Sequence, residues 1–151
     1  MGVILTEKVR GVYDQCASVC HAPGTLAVIE EGIPGASLGA IKNRADLVIF
    51  WGSNPMEAHP RHPLRYSMSA KGLLIKGRND RKVVVVDVRK TKTAKKADVF
   101  VQIKPGYDYP VISALRALIK GEDIDVDEVG GVSKEQLKEL AEMMKNAKYG
   151  V

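Results

Sequence analysis

The segment Trp51-Gly52-Ser53-Asn54-Pro55 follows directly on the apolar run ADLVIF. A glycine there lets backbone approach a ligand closely, Ser53 and Asn54 supply short donors and acceptors, and the first amides of a following helix attract an anion. Such a loop suits phosphate, although a plain strand-to-helix turn uses the same residues. Two more segments carry similar groups. In Asp87-Val88-Arg89-Lys90-Thr91 the carboxylate can accept hydrogen bonds from a ribose or base while Arg89, Lys90 and Thr91 meet phosphate, the alternative being mere solvation of a charged strand end. In Lys104-Pro105-Gly106-Tyr107-Asp108 a carboxylate behind a Pro-Gly turn can take paired hydrogen bonds from the N1 and exocyclic N2 of guanine, or cap the helix that follows. Neither G-x-G-x-x-G nor G-x-x-x-x-G-K-[ST] occurs, so the common dinucleotide fingerprint and the Walker loop are excluded.

The cysteines are Cys16 and Cys20. A C-x3-C spacing without a second pair is too little for a zinc site or a self-contained iron–sulfur cluster, and too little for a disulfide framework. Cys20 precedes His21 and an expected helix, whose N-terminal amides and positive dipole end favour a thiolate; a buried cysteine beside a helix start is the plainer reading. His59 and His62 stand three apart, each followed by proline, and without a carboxylate or thiolate partner they make an incomplete metal site. Arg61 and Arg65 beside them can face phosphates or a partner subunit.

The elements that must position these groups are legible in the hydrophobic pattern. KVVVVD (82–87) is a continuous β-branched run between charges, the pattern of a strand buried on both faces of a parallel sheet. DLVIFW (46–51) and DVFVQI (98–103) read the same way. Between the first two strands the pattern predicts a crossover helix with Pro60 and Pro63 in its first turn, an apolar stripe at Leu64, Met68, Leu73 and Leu74, and a stop at Gly77 and Asn79. Helices are also expected over 24–32 and 37–45, either side of an Ile-Pro-Gly-Ala turn. YPVISALRALIKG places Val111, Ile112, Leu115, Leu118 and Ile119 at helical spacing, and SKEQLKELAEMMKNA opens with a Ser133–Gln136 capping box above Leu137, Leu140, Met143 and Met144. Residues 122–132 form a linking loop. The expected fold class is α/β, a Rossmann-like three-layer α/β/α domain with a mainly parallel sheet over residues 1–151, and the three polar segments sit where such sheets bind ligands, outside the carboxyl ends of the strands near a topological switch point.

The totals agree with one globular domain: 151 residues, 45% hydrophobic and 27% charged. The longest apolar runs fall far short of the roughly 20 residues that span a bilayer, and the N-terminus lacks a secretory h-region, so a cytoplasmic location without membrane contact is the default. Net charge is +5, but aromatics are only 5% and the basic residues are scattered, which favours a small polyanion over nucleic acid.

Taken in order, W-G-x-N-P, D-x-R-x-T-x-T-A, A-D and P-G-x-D resemble the molybdopterin oxidoreductase family over roughly residues 13–120. Within it, the NPMEAHPRH and SVCH stretches are similar to the formylmethanofuran dehydrogenase branch. The resemblance implies a Rossmann-like domain that binds one arm of a bis(molybdopterin guanine dinucleotide) carrying tungsten or molybdenum. Carried over by position, Trp51, Gly52, Ser53, Asn54 and Pro55 would line pyrophosphate and ribose, Asp87, Arg89, Lys90 and Thr91 the nucleoside, and Pro105, Gly106 and Asp108 the guanine. SVCHAP resembles a Cys-His-Gly-Pro stretch, by which Cys20 would ligate the metal and His21 assist proton transfer between carbon dioxide and formate. Ala22 and Gly24 depart from that pattern, and Cys16 has no counterpart in it. The family also implies partner subunits, an N-terminal iron–sulfur segment and further domains, so the chain is expected to be a piece of a larger subunit, inactive in isolation. The alternatives are a non-catalytic nucleotide- or phosphate-binding module and a domain of a related formate dehydrogenase.

Overall fold

A computed structural model describes residues 20–32 and 35–151; Cys16 and part of the Ile-Pro-Gly-Ala turn lie outside them. They fall into two compact units, one ending at Gly35 and one from Ala36 to Val151. In the first, α1 (Ala22–Glu31) takes Pro23 in its first turn, where no amide is missed, and ends at Gly32 with φ 81°.

The second unit opens with α2 (Leu38–Arg44), capped by the Ser37 hydroxyl, which accepts from the Ala40 amide at 3.1 Å. Three parallel strands follow: β1 (Leu47–Trp51), β2 (Lys82–Asp87) and β3 (Val99–Gln102), in spatial order β1-β2-β3. Register places Ile49 beside Val84, and Val85 beside Phe100. Val83 to Val86 are wholly buried, as the unbroken valine run requires of a central strand covered on both faces. Leu47, Val84, Val86 and Val101 pack on one face against α4 (Asp108–Lys120) and α5 (Lys134–Asn146). Val48, Phe50, Val83 and Val85 pack on the other against Ile41, Ala45, Met68 and Ala94. The three-layer α/β architecture is therefore the one expected, and the Ser133–Gln136 capping box is formed.

The chain end supplies the switch point. Gly150 bridges Leu47 in parallel, the Val151 amide donates to the Leu47 carbonyl at 3.0 Å, and the Ile49 amide donates to the Val151 carbonyl at 2.7 Å. Connections run outward from β1 to β3, then return by α4 and α5 to the opposite edge of β1. Strand order thus reverses at β1, whose carboxyl end is Trp51.

Two expectations are corrected. The crossover helix is not formed: in its place stand α3 (Pro55–Ala58), a π turn at Pro63–Ser67 and a 3-10 turn at Arg78–Asp80. Leu64, Leu73 and Leu74 are exposed, and only Met68 of the proposed stripe is buried. Pro60 and Pro63 withhold amides that a continuous helix would need and restrict the residues before them. Beyond them the chain is tied to α2 instead, with Leu73 N donating to Asn43 Oδ1 and Leu74 N to the Asn43 carbonyl, each at 3.0 Å. Nor is 122–132 a simple loop. It contains a hairpin of β4 (Glu128–Val129) and β5 (Val132–Ser133), which turns through Gly130 and Gly131 at φ 59° and 88°, where side-chain-bearing residues are strained.

Arg81, 2% exposed, donates from its guanidinium to the carbonyls of Ile41, Lys42, Ala45 and Ala70. It satisfies the C-terminal carbonyls of α2 and fastens that helix to the amino end of β2.

Candidate functional site

All three polar segments emerge at the carboxyl ends of the sheet. After Trp51 the chain turns at Gly52, φ 56°, whose amide donates to the Val86 carbonyl at 2.9 Å, so the first loop leaves the sheet alongside β2. Ser53 is exposed, whereas Asn54 is half-buried and committed. Its Oδ1 accepts from the Thr93 hydroxyl at 2.8 Å and the Thr93 amide at 3.3 Å, and its Nδ2 donates to Glu57. The Thr93 hydroxyl in turn accepts from the Met56 amide at 3.1 Å. Asn54 is thus a brace between the first and second loops. The helix amides expected to receive an anion are not open: α3 is a single turn, Met56 N goes to Thr93, and Glu57 N and Ala58 N go to the Asn54 carbonyl. What this loop presents is the Gly52 backbone and the Ser53 hydroxyl.

In the second loop Asp87 is half-buried and its carboxylate accepts from the Arg89 amide at 3.4 Å. Thr91 is buried and accepts from the Ala94 amide at 3.2 Å, opening a 3-10 turn at Ala94–Lys96. Arg89 and Lys90 are exposed and make no ion pair among the described residues. Lys92 pairs with Glu57 at 3.1 Å, and its hydrogen bond, followed by its charge, the Asn54 hydrogen bond and the charge of Arg89, holds the Glu57 carboxyl below its ordinary range.

In the third loop Gly106 turns at φ 82° and the Tyr107 amide closes onto the Lys104 carbonyl at 3.1 Å. Asp108 is the first residue of α4, with Tyr107 at the N-cap position. Its carboxylate does not cap the helix: Oδ1 accepts the Trp51 indole N–H at 2.7 Å, joining segments 57 residues apart. The hairpin supports this loop, since the Lys104 amide donates to the Gly130 carbonyl at 2.8 Å and a Cβ on Gly130 would fall 2.6 Å from that of Tyr107. Beside it Val88, Gln102, Lys104, Pro105 and Gly131 line a shallow cleft of about 330 Å³. Larger clefts, about 620 and 580 Å³, lie at the opposite ends of the strands around Asp46, Asp80 and Tyr149, and around Arg78 and Asp98.

The structure thus pairs Trp51 with Asp108, and Asn54 with two residues that reading the sequence missed, Thr93 and Glu57. Thr93 was visible as the second threonine of the T-K-T-A stretch, but only the fold shows that its hydroxyl faces Asn54. Cys20 and His21 belong to the other unit, where both are exposed at the start of α1. His62 is half-buried edge-on to Phe50, with Nδ1 2.9 Å from the Ser67 hydroxyl. Burial first, then the neighbouring His59, lowers its pKa from the ordinary value. No cluster of three or more His, Cys, Asp or Glu able to hold a metal occurs among the described residues. No helix there is long and apolar enough to cross a membrane.

No family model matches the chain. Among curated proteins, it is 50% identical over 99% of its length to the B subunit of the tungsten-containing formylmethanofuran dehydrogenase 2 of Methanococcus maripaludis. The corresponding B subunit from Methanocaldococcus jannaschii is 51% identical over 99% of the chain. The chain spans 35% and 34% of those two proteins. More distantly, the alpha subunit of the F420-dependent formate dehydrogenase 2 of M. maripaludis is 32% identical over 70% of the chain, which covers 15% of that protein.

Proposed function

From a chain homologous along its whole length to formylmethanofuran dehydrogenase B subunits, within the molybdopterin oxidoreductases, we propose a segment of such a catalytic subunit, one that cradles a single guanine dinucleotide arm of its pterin cofactor. The reading is carried by the convergence of the three loops at the switch point, tied across by Trp51–Asp108 and Asn54–Thr93. The donor set fits the group. An exposed carboxylate suits the N–H edge of guanine, Gly52 and Ser53 leave room and a hydroxyl for pyrophosphate, and the exposed cations Arg89 and Lys90 suit its charge.

When bound, bis(molybdopterin guanine dinucleotide) with tungsten or molybdenum supplies two-electron chemistry between carbon dioxide and formate, the latter then passed on as a formyl group. Tungsten is favoured by the two B-subunit relatives, both of them tungsten-containing. The chain's own residues bind and orient: Asp108 accepts from the base, Asp87 from the ribose, and Ser53, Arg89 and Lys90 hold phosphate. Cys20 is the thiolate that would hold the metal, a soft ligand suited to it, and His21 beside it would hold or release the proton. The other polypeptides of the dehydrogenase are the expected partners.

Calorimetric titration with GDP and with ADP, on the 151-residue chain and on Asp108→Asn, tests the reading. Hydrogen bonds to a charged group contribute about 1.5–3 kcal/mol each, so GDP should bind selectively and Asp108→Asn should weaken it by roughly tenfold or more. Equal binding of both nucleotides, unaffected by the substitution, would sink the guanine assignment.

A further inference from the structure

The Trp51–Asp108 hydrogen bond lies at the exposed rim of the sheet, between the last residue of β1 and the first residue of α4. We propose that Trp51 is the positioning residue for base selection, its indole N–H setting the plane of the Asp108 carboxylate so that the remaining lone pairs face an incoming guanine. This rests on the cradle reading above.

A carboxylate offers about four acceptor sites on its two oxygens, so one indole N–H and the two parallel N–H groups of a guanine edge can be satisfied together. Without the indole, an aspartate at the exposed start of a helix is free to rotate about its side-chain bonds, and a two-point contact then requires that freedom to be lost on binding. Trp51 is well held for the task. It is the last residue of β1, paired in register with Val86, and its ring packs against the core shared by the sheet, α4 and α5. The ring is therefore anchored by packing while its one polar atom reaches the rim. Adenine presents no such pair of donors, so a carboxylate fixed in this plane discriminates between the bases rather than strengthening nucleotide binding in general.

Trp51→Phe keeps most of the packing and removes the N–H. In calorimetric titration of the 151-residue chain, the ratio of GDP to ADP affinity should fall about tenfold in the variant. A merely structural contribution would lower both affinities alike. Because Trp51 is the sole tryptophan, its emission in the unsubstituted protein is a second readout that needs no variant to fold. GDP should shift that emission more than ADP does. GDP binding that leaves both the emission and the variant's selectivity unchanged overturns this inference and spares the cradle. Failure of the unsubstituted chain to bind GDP overturns the cradle, and this inference with it.

Discussion

Thr93 is wholly buried, yet it organises the exposed mouth of the candidate site. Its hydroxyl donates to Asn54 and accepts from the Met56 amide, so a single side chain sets the spacing between the loops after β1 and β2. Thr93→Val keeps the shape and deletes the hydroxyl, leaving the Met56 amide without its partner. A fully buried donor so orphaned costs about 1–3 kcal/mol, and the part-buried Met56 amide should fall at the lower end, about 1 kcal/mol. The expected outcome is an unfolding free energy, from urea titration, lower by that amount together with weaker GDP binding, whereas Thr93→Ser, which keeps the oxygen, should retain affinity. Unchanged affinity in the valine variant would show that the brace does not shape the site. At the same scale the motif residues divide by their environment: Asn54 and Thr91 spend their polar atoms inside the protein, while Ser53, Arg89, Lys90 and Asp108 are exposed. Side-chain type alone could not have made that division, because a short polar side chain braces a loop as readily as it binds a ligand.

Strands, α4 and α5 were legible as elements because each buries a face whose period shows in the residues: four consecutive valines in β2, and Val111, Leu115 and Leu118 along one side of α4. The segment between β1 and β2 misled for the opposite reason. Its leucines fall near helical spacing, but prolines interrupt the hydrogen-bond ladder and α2 offers competing partners at Asn43. Gly72 is the key to that competing arrangement. A Cβ there would fall 2.1 Å from the Lys42 carbonyl oxygen, backbone that cannot step aside cheaply. Gly72→Ala should therefore destabilise by about 1–3 kcal/mol, as overpacking does. The loss should appear as a lower thermal midpoint and as faster amide exchange in α2. Gly24, where an added methyl would meet nothing within 4 Å and φ is not positive, is the control at which alanine should be harmless.

On the scale of the whole molecule, the return of the chain to β1 is fastened by Asp46, whose two oxygens accept from the amides of Lys148 and Tyr149 at 2.9 Å each, across 102 and 103 residues. Partial burial pushes its carboxyl up, but these bonds outweigh that effect and leave it below the ordinary 3.8. Asp98 behaves likewise, burial being overcome by Arg78 at 2.8 Å and by the Val83 amide. A carboxyl depressed by folding contributes stability that is present above the unfolded pKa and is lost as pH falls through the folded value. Stability should accordingly decline in acid, and Asp46→Asn should lower it near neutrality while flattening the acid dependence. Urea midpoints measured from neutral pH to below 3.8 would show this, and an identical acid slope in the variant would exclude Asp46 as a contributor.

By itself the sequence determined the α/β class, the three parallel strands and the three polar loops, because these follow from local periodicity and from residues clustered within a few positions of one another. It also determined the family resemblance through ordered motifs. What the tertiary structure decided was which of those polar groups meet. The Trp51 indole finds Asp108 across 57 residues, Thr93 finds Asn54 across 39, and Gly150 and Val151 come to rest beside β1. Such pairings depend on the order of strands in the sheet and on which face each connection crosses. No local pattern of residues encodes that, because it is settled only when the apolar faces of distant elements are buried together.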